Sequence, residues 1–273
     1  MSVIIHLTDL HFGAGRKNQI SFSDVKRHFI EYINKLTDNP IIVVSGDITY
    51  QAMQIGYSAA HDFFEDVIAK TEIDPIRFIF CPGNHDIDPD LSFNQFTAFC
   101  YSIRKDKQFD FSLKPSVSIV LDDIYFIVSN SSQHRNKDYG LVDLDRLKAE
   151  IETLPHAKQR RIAIQHHHLL PIIEADTSVI RNAYHYLNIL DANDISAILH
   201  GHQHFNVGFP IGANKMRIFG GASFGFATEG VVNSFNVYHV EAAGMAVERI
   251  GLSIDGPVAG HTGFIRMGER LVV

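Results

Sequence analysis

In the first third of the chain, short apolar runs alternate with segments whose apolar residues recur at every third or fourth position. The runs at 3–8, 41–45 and 77–81 predict buried strands. Helical spacing between them predicts two amphipathic helices, carried by Phe22, Val25, Phe29, Ile33 and Leu36 and by Ala60, Phe63, Phe64, Val67 and Ile68. The resulting order of strand, helix, strand, helix, strand is typical of an α/β fold, in which ligands bind at the carboxyl ends of parallel strands.

The rest of the chain continues the alternation less regularly. Two runs around Asp122-Asp123 predict a hairpin over 116–121 and 124–129. Helices are predicted over 91–101, 141–151 and within 178–190, and further strands over 161–165, 195–199, 216–219, 235–240 and 245–250. We expect the Gly-punctuated strands of about 207–251 to form a second sheet that closes the core, while the tail 252–273 stays unassigned. Because no repeat or linker interrupts the pattern, we predict a single domain over 1–273.

Composition narrows the class of protein. Of the 273 residues, 45% are hydrophobic, which is ample for a folded core. The net charge of −7 disfavours a nonspecific nucleic-acid binder, which needs a basic face. No apolar run reaches membrane-spanning length, the first residues lack the features of a signal peptide, and the two cysteines suit a reducing compartment. We therefore predict a cytoplasmic protein without a membrane anchor.

Polar side chains follow four of the predicted strands at the point where each strand ends. They lie in Asp9-Leu10-His11, Gly46-Asp47, Pro82-Gly83-Asn84-His85-Asp86 and Gly201-His202-Gln203-His204. A lone aspartate at a strand end is usually a turn or capping residue, so the smaller blocks alone say little. Their joint occurrence is more informative, because buried polar groups are costly unless something binds them. Asp, Asn and His are metal ligands, and together they are numerous enough to predict a site for two metal ions.

The remaining histidines divide into one candidate group and a set with ordinary roles. Among His166, His167 and His168, which follow the strand at 161–165, metal geometry admits one ligand. His6, inside a strand, is interpreted as a packed or hydrogen-bonded residue, and His200 as a satisfied residue at a strand end. Surface or satisfied positions are predicted for His28, His61, His134, His156, His185, His239 and His261.

Taken in order, these blocks resemble the motifs of the calcineurin-like metallophosphoesterases. The resemblance runs from Asp9-Leu10-His11 through Gly46-Asp47, Gly83-Asn84-His85-Asp86 and a later histidine to Gly201-His202-Gln203-His204, over about residues 3–205. Within that family the blocks look most like small bacterial phosphodiesterases of the class III cyclic-nucleotide type. The resemblance implies a four-layer αββα sandwich of two mixed sheets, with the metal site at the carboxyl ends of the strands.

The resemblance also implies which residues hold the metals. The first ion would be bound by Asp9, His11, Asp47 and His204, and the second by Asp47, Asn84, His167 and His202, with Asp47 bridging. Family members commonly read His-x-Pro at the later histidine, with the first His as ligand, and this register selects His167. Because Leu169 stands where that proline would be, His166 is the alternative. Mixed nitrogen and oxygen ligands suit Mn, Fe, Zn or Co.

The chemistry that the resemblance implies is metal-dependent hydrolysis of phosphoric esters. Two cations about 3.5–4 Å apart polarise a phosphoryl group and supply a bridging hydroxide for in-line attack. His85 would contact the phosphate and protonate the leaving oxygen, while Asp86 would orient and charge the His85 ring. The expected substrate is a small phosphodiester, with a 3′,5′-cyclic nucleotide as one candidate. The alternatives are a phosphomonoesterase, a nuclease, or a metal-binding scaffold that has lost catalysis.

Substrate recognition is expected in loops, since loops carry specificity on a fixed scaffold. The loops concerned cover 12–20, 129–140, 169–179 and 221–234. The candidate contacts to a phosphate or a base within them are Arg16, Lys17, Arg135 and Phe224.

Overall fold

The computed structural model describes residues 1–15, 22–155, 159–212, 216–241, 244–253, 263–268 and 271–272. The helices are α1 (Phe22–Ile33), α2 (Gln54–Thr71), α3 (Asn94–Arg104), α4 (Leu144–Glu152) and α5 (Ala183–Ala192). The strands are β1 (Ser2–Leu7), β2 (Ile41–Ser45), β3 (Phe78–Cys81), β4 (Ser116–Leu121), β5 (Ile124–Ser129), β6 (Arg160–Ile164), β7 (Ile195–His200), β8 (Val207–Ile211), β9 (Met216–Gly220), β10 (Ser234–Val240), β11 (Met245–Ser253), β12 (Gly263–Arg266) and β13 (Leu271–Val272). Among the helices of these segments, none combines the length and the apolar character that crossing a bilayer requires.

The strands form two mixed sheets. The first has seven strands in the order β12-β11-β10-β1-β2-β3, with β13 beside β11, and the second has six in the order β4-β5-β6-β7-β9-β8. Each sheet contains a run of parallel strands, formed by β1, β2 and β3 at one side of the first sheet and by β5, β6, β7 and β9 in the middle of the second. Strands such as β2 and β5 are buried along their whole length, which is why they read as unbroken apolar runs.

Alternate side chains of the second sheet face two different hydrophobic clusters. In β5, Phe126 and Val128 belong to the larger cluster, together with the strands of the first sheet and the apolar residues of α1, α2 and α3. Tyr125 and Ile127 point the other way and pack with α4 and α5. Because side chains alternate across a strand, the second sheet lies between the first sheet and these two helices. The fold is the predicted αββα arrangement.

The strands after residue 207 are shared between the two sheets, so the expectation of one closing sheet is wrong. β10 pairs antiparallel with β1 and brings β11 into the first sheet, whereas β8 and β9 extend the second. The apolar pattern does not predict β8, because Gly208 and Pro210 interrupt it. This strand lies at the edge of its sheet, where proline is tolerated. β12 and β13 fall in the tail that the pattern leaves unassigned.

Candidate metal centre

The blocks singled out in the sequence meet at the carboxyl ends of strands from both sheets. They follow β1 (Asp9 and His11), β2 (Asp47), β3 (Asn84 and His85), β6 (His166) and β7 (His202 and His204). Backbone hydrogen bonds hold the first two loops side by side, since Asp9 N–H donates to the Gly46 carbonyl at 3.1 Å and His11 N–H to the Asp47 carbonyl at 2.9 Å. Strands β1, β2 and β3 of the first sheet and β6 and β7 of the second thus supply the residues of one site.

The backbone at these strand ends is held in the left-handed region. Positive φ angles between 50° and 76° occur at Asp9, His11, Asp47, His202 and His204. A non-glycine residue in such a conformation costs on the order of 1–3 kcal/mol and persists only where its surroundings impose it. The concentration of this strain at one cluster of polar residues indicates that the direction of their side chains is under constraint.

Asp9, His11 and His204 form the first group of converging side chains. Asp9 Oδ2 accepts hydrogen bonds from the Thr8 hydroxyl at 2.7 Å and from the His202 amide at 3.0 Å. The other oxygen, Oδ1, is buried without a hydrogen-bond partner among the described residues. It lies 3.3 Å from His204 Nε2 and 3.8 Å from His11 Nε2, and these two nitrogens are 3.3 Å apart. One carboxylate oxygen and two imidazole nitrogens thus point at one place.

The second group gathers around His166. His166 Nδ1 donates to the Ser45 carbonyl at 2.9 Å, so in the neutral ring Nε2 carries a lone pair. That nitrogen lies 3.0 Å from Asn84 Oδ1, 3.1 Å from His202 Nδ1 and 3.3 Å from Asp47 Oδ2. Amide and carboxylate oxygens can only accept, so a cation between these atoms would satisfy all of them at once.

Asp47 lies between the two groups. Its Oδ2 is 3.3 Å from His166 Nε2 and 3.7 Å from His11 Nε2, and its Oδ1 accepts the His85 amide at 2.9 Å. It shares one candidate metal group with His11 and His85 and another with His166 and His202. A bridging carboxylate would occupy this position, and the donor set as a whole fits two metal ions.

The electrostatics of the site also require positive charge. Burial alone would lower the pKa of His166, but the charge of Asp47 and its hydrogen bond raise it to about 9. Burial would raise the pKa of Asp9 and that of Asp47, yet His204 beside the first and His166 beside the second hold both pKa values below the usual range. In the metal-free protein, a proton on His166 therefore supplies part of the charge that bound cations would supply.

The structure places His166, and not the expected His167, in the second group. The pleat of β6 explains this, because Ile162 and Ile164 face the first sheet and His166 continues on the same side. His167 Nδ1 instead faces the Ser131 hydroxyl at 2.9 Å, and Ser131 Oγ also accepts the His167 amide at 3.2 Å. His166, the alternative given by the sequence, is thus the histidine of this triplet that faces the other candidate ligands.

The structure also gives Asp86 a role different from the expected one. Its carboxylate accepts the backbone N–H groups of Ile48 at 3.1 Å, Thr49 at 3.0 Å and Gly83 at 3.0 Å. It thereby ties the loop after β2 to the loop after β3. Burial, reinforced by the charge of Asp47, raises the pKa of Asp86 to about 6 despite these bonds.

The His85 ring is oriented by a backbone carbonyl. Its Nδ1 hydrogen-bonds to the carbonyl oxygen of Tyr50, which can only accept, so Nδ1 carries the proton. The side chain forms a candidate group with His11 and Asp47, whose ligand atoms all lie within 4.8 Å of one another. His85 is thus beside the metal centre, as predicted, but the expected contact with Asp86 is replaced by the contact with Tyr50.

Two glycines in the sequence blocks permit close approaches between the loops. A Cβ on Gly83 would lie 2.0 Å from Asp47 Oδ1, and one on Gly201 would lie 1.8 Å from Thr8 Oγ1 and 2.6 Å from Asp9 Oδ2. No side chain fits at those distances, so the glycines before Asn84 and His202 are needed for the ligand loops to meet.

The loop at 221–234 borders the site, but through a different phenylalanine from the one expected. Phe224 is 1% exposed and belongs to the hydrophobic core. Phe226, two residues later, is half-buried, and its ring centroid lies 5.0 Å from that of His11 and 5.4 Å from that of His204. The Gly-rich composition locates the loop but does not say which side chain turns towards the ligands.

The loop at 129–140 also reaches the site, through its backbone. The carbonyl of Lys137 accepts from Asn84 Nδ2 at 3.1 Å, which turns the amide oxygen of Asn84 towards His166. A main-chain contact of this kind leaves no signal in the sequence. Arg135 is exposed, and Arg16 and Lys17 lie outside the described residues.

Two further histidines have the ordinary roles expected of them. His6 is buried in β1, with Nε2 2.7 Å from the Ser45 hydroxyl, and His200 Nδ1 lies 3.1 Å from the Gly201 carbonyl. His156 and His261 lie outside the described residues.

Comparisons with known proteins bear on the family and the fold of this chain. The family model described as calcineurin-like phosphoesterase matches residues 2–206. A comparison with curated protein sequences found no match. Among solved structures, a dimetal phosphatase from Danio rerio is similar with a TM-score of 0.71 at 12% identity, over 92% of this chain and 96% of that one.

Two other solved structures share the fold at similar identity. GAP50, described as the anchor in the inner membrane complex of Plasmodium, has a TM-score of 0.56 at 12% identity, covering 97% of this chain and 89% of that chain. A single mutant of Vps29 from Entamoeba histolytica has a TM-score of 0.50 at 12% identity, over 99% of both chains. These likenesses concern the fold alone.

Proposed function

We propose that this chain, which belongs to the calcineurin-like phosphoesterase family, hydrolyses phosphodiesters with the help of two metal ions. The observation that carries the proposal is the position of Asp47 between two groups of converging nitrogen and oxygen atoms. A phosphate ester is the ligand chemistry that such a pair of cations favours. His85, which forms a candidate group with His11 and Asp47, adds a side chain suited to proton transfer.

The proposed ligands follow the geometry rather than the resemblance. The first ion would be held by Asp9, His11, Asp47 and His204, and the second by Asp47, Asn84, His166 and His202. When bound, two such ions polarise the phosphoryl group and lower the pKa of coordinated water. Asn84 is a neutral ligand and so limits the negative charge that an anionic phosphate would meet. The nitrogen and oxygen donors suit Mn, Fe, Zn or Co.

His85 is the proposed proton donor to the leaving oxygen. The Tyr50 carbonyl holds the Nδ1–H, so the ring presents Nε2 as the atom that can carry the second, transferable proton. The backbone amide of His85 is fixed by Asp47 Oδ1, which keeps the ring beside the metal ligands.

The proposed substrates are small phosphodiesters, for which 3′,5′-cyclic AMP serves as the test case, and the proposed compartment is the cytoplasm.

The test compares two leaving groups in the metal-loaded protein. A diester with an alkoxide leaving group, such as 3′,5′-cyclic AMP, needs a proton donor, whereas bis(4-nitrophenyl) phosphate releases a stable phenolate. We expect His85→Gln to lower kcat/KM for the cyclic nucleotide by about 10²–10⁴-fold and for the nitrophenyl diester much less. His185→Gln, at an exposed histidine of α5, is the matched control and should leave both substrates unaffected.

Other results would change the assignment. Equal losses on both diesters would remove the proton-donor role, and loss of bound metal in His85→Gln would make this residue a ligand. A tenfold or greater preference for 4-nitrophenyl phosphate over the diester would favour a phosphomonoesterase. Stoichiometric metal without turnover of any phosphate ester would favour a scaffold.

A further inference from the structure

Two half-buried aromatic rings border one side of the metal centre. The rings of Tyr50 and Phe226 are nearly parallel, with an interplanar angle of 8° and centroids 6.3 Å apart. The Phe226 centroid lies 5.0 Å from that of His11 and 5.4 Å from that of His204. The Tyr50 centroid lies 6.0 Å from that of His11 and 5.5 Å from that of His85. Both rings therefore lie on the side of the site where the proposed proton donor is found.

Packing of the core does not account for these two rings. In the described part of the chain, neither belongs to either hydrophobic cluster, although the nearby Phe224 and Phe63 do. Both keep part of their surface accessible, while the large core rings are fully buried. Two aromatic faces at the rim of a polar site are a surface on which another flat ring can stack.

The backbone carbonyl of Tyr50 is hydrogen-bonded to the proposed proton donor, His85. The Tyr50 carbonyl accepts this hydrogen bond from His85 Nδ1, and the Tyr50 ring centroid lies 5.5 Å from that of His85, the side chain that would protonate the leaving oxygen. The Phe226 backbone is linked to the ligand loop after β1, because its amide donates to Ser223 Oγ at 2.7 Å and Ser223 Oγ donates to the Asp9 carbonyl at 2.6 Å. The two rings are thus positioned by the same loops that position the metal ligands.

We propose that Tyr50 and Phe226 form an aromatic platform that binds a planar aromatic group of the ester, such as an aryl ring or a nucleobase, on the His85 side of the site. The proposal rests on the proposed function, since it places a phosphate ester at the metal centre. Stacking is sequence-tolerant and requires only a π face on the ligand. The opposing interpretation is that the rings only shield the histidine ligands from water, in which case an aromatic ligand gains nothing over a saturated one.

The test uses phosphonates, which are not hydrolysed, so that binding is measured without turnover. Benzylphosphonate and cyclohexylmethylphosphonate carry the same anion and the same number of carbons, and differ in the aromatic ring. Their Kd values for the metal-loaded protein would be measured by calorimetry, with methylphosphonate as the reference for the anion alone. We expect the wild-type protein to bind benzylphosphonate about three- to tenfold more tightly than its saturated counterpart.

Substitutions assign that preference to the two rings. In Tyr50→Leu and Phe226→Leu we expect the ratio of the two Kd values to fall towards one, with metal content and the Kd of methylphosphonate within about twofold of wild type. Tyr50→Phe, which retains the ring, should retain the ratio. Tyr101→Leu, at an exposed tyrosine of α3, is the control and should also retain it.

The outcomes separate this inference from the proposed function. Turnover of diesters without a preference for benzylphosphonate, or an unchanged preference in both leucine variants, would overturn the platform alone. A preference that depends on the two rings, in a protein that hydrolyses no ester, would support the platform and overturn the hydrolysis. Failure of all three phosphonates to bind the metal-loaded protein would overturn both.

Discussion

The two ends of the parallel strands are both rich in polar residues, yet they differ in how those residues are paired. At the amino ends, Asp122 lies opposite Arg77 in a bidentate pair with N–O distances of 2.9 Å and 2.6 Å, and Arg160 donates to the Glu241 carbonyl at 3.2 Å. At the carboxyl ends, Asp47 Oδ2 and Asn84 Oδ1 face His166 Nε2, which can satisfy them only while it carries a proton or while a cation lies between the three atoms. Permanent donors meet acceptors at the amino ends, whereas the acceptors at the carboxyl ends depend on a proton or a cation.

This difference separates a structural polar cluster from a binding site. The Asp122 carboxylate is 34% exposed, and its partner is permanently charged, so the pair needs nothing further. The Asp9 and Asp47 carboxylates are buried, and the groups around them are histidines, whose charge depends on a proton. Removing water from two carboxylates is costly unless positive charge compensates them, so the carboxyl ends favour a bound cation and the amino ends do not.

The largest expected effect tests this contrast with one chemical change at each end. Asp47→Asn keeps the shape of the side chain and removes the charge between the two metal groups. Substituting a residue that contacts a ligand rather than the metal typically lowers metal affinity 10–100-fold. We expect Asp47→Asn to lower metal affinity by more than that, and activity on diesters by on the order of a thousandfold. Asp122→Asn should keep metal and activity and cost at most about 1 kcal/mol of unfolding free energy.

Metal content after dialysis, kcat/KM on a diester and urea unfolding of both variants measure this contrast. If Asp47→Asn retained all its metal, or if Asp122→Asn lost metal, the way in which the polar residues are paired would not distinguish the metal-binding ends of the strands from the amino ends.

A smaller effect is expected within the carboxyl ends, where neighbouring histidines differ in what they face. His166→Asn should reduce bound metal from about two ions per chain to about one, because it removes a nitrogen of the second group only. His167→Asn should retain both ions and instead lower the unfolding free energy by about 1–3 kcal/mol, because its partner Ser131 would be left buried and poorly paired.

The measurements are elemental analysis and the unfolding curves of the two variants. Loss of metal from His167→Asn, with retention in His166→Asn, would restore the register taken from the resemblance. Loss of metal from both would mean that the two rings act together.

The sequence predicts the strands that carry the site and most of their ends, because central parallel strands are buried on both faces and read as apolar runs. It also predicts which blocks supply candidate ligands, since Asp and His that directly follow an apolar run can be recognised from the sequence alone. The choice between His166 and His167 could have been made from the alternation in β6, where Ile162 and Ile164 share a face with His166. The register taken from the resemblance points to His167 instead.

The remaining features depend on contacts that leave no local pattern. β10 joins the first sheet beside β1, and the register of Ile4 with Tyr238 links residues far apart in the chain. Asp86 looks like a partner for the adjacent His85, but its carboxylate reaches back to Ile48 and Thr49. Phe226 lies at the site and Phe224 in the core, although both belong to the same Gly-rich loop.

The last prediction extends the comparison to the middle of the first sheet, where His6 is buried but satisfied by the hydroxyl of Ser45. Burial, with the nearby His200, lowers the pKa of His6 to about 3. The unfolded chain takes up a proton near pH 6.5 and the folded chain only near pH 3, so between these values the unfolded state binds more protons. His6 therefore makes the protein less stable as the pH falls through this window, by about 1.4 kcal/mol per pH unit.

Urea unfolding of the metal-free wild type and of His6→Gln at pH 8, 7, 6, 5 and 4 isolates this contribution, because the other titrating groups are common to both proteins. The difference in unfolding free energy should be constant from pH 8 to 7 and should then shift in favour of His6→Gln by about 1.4 kcal/mol per unit below pH 6. A constant difference down to pH 4 would mean that folded His6 accepts a proton as readily as the unfolded chain does. In that case burial with a hydroxyl partner would not be enough to keep a histidine neutral. His6 would then not differ in this respect from the histidines of the candidate metal centre.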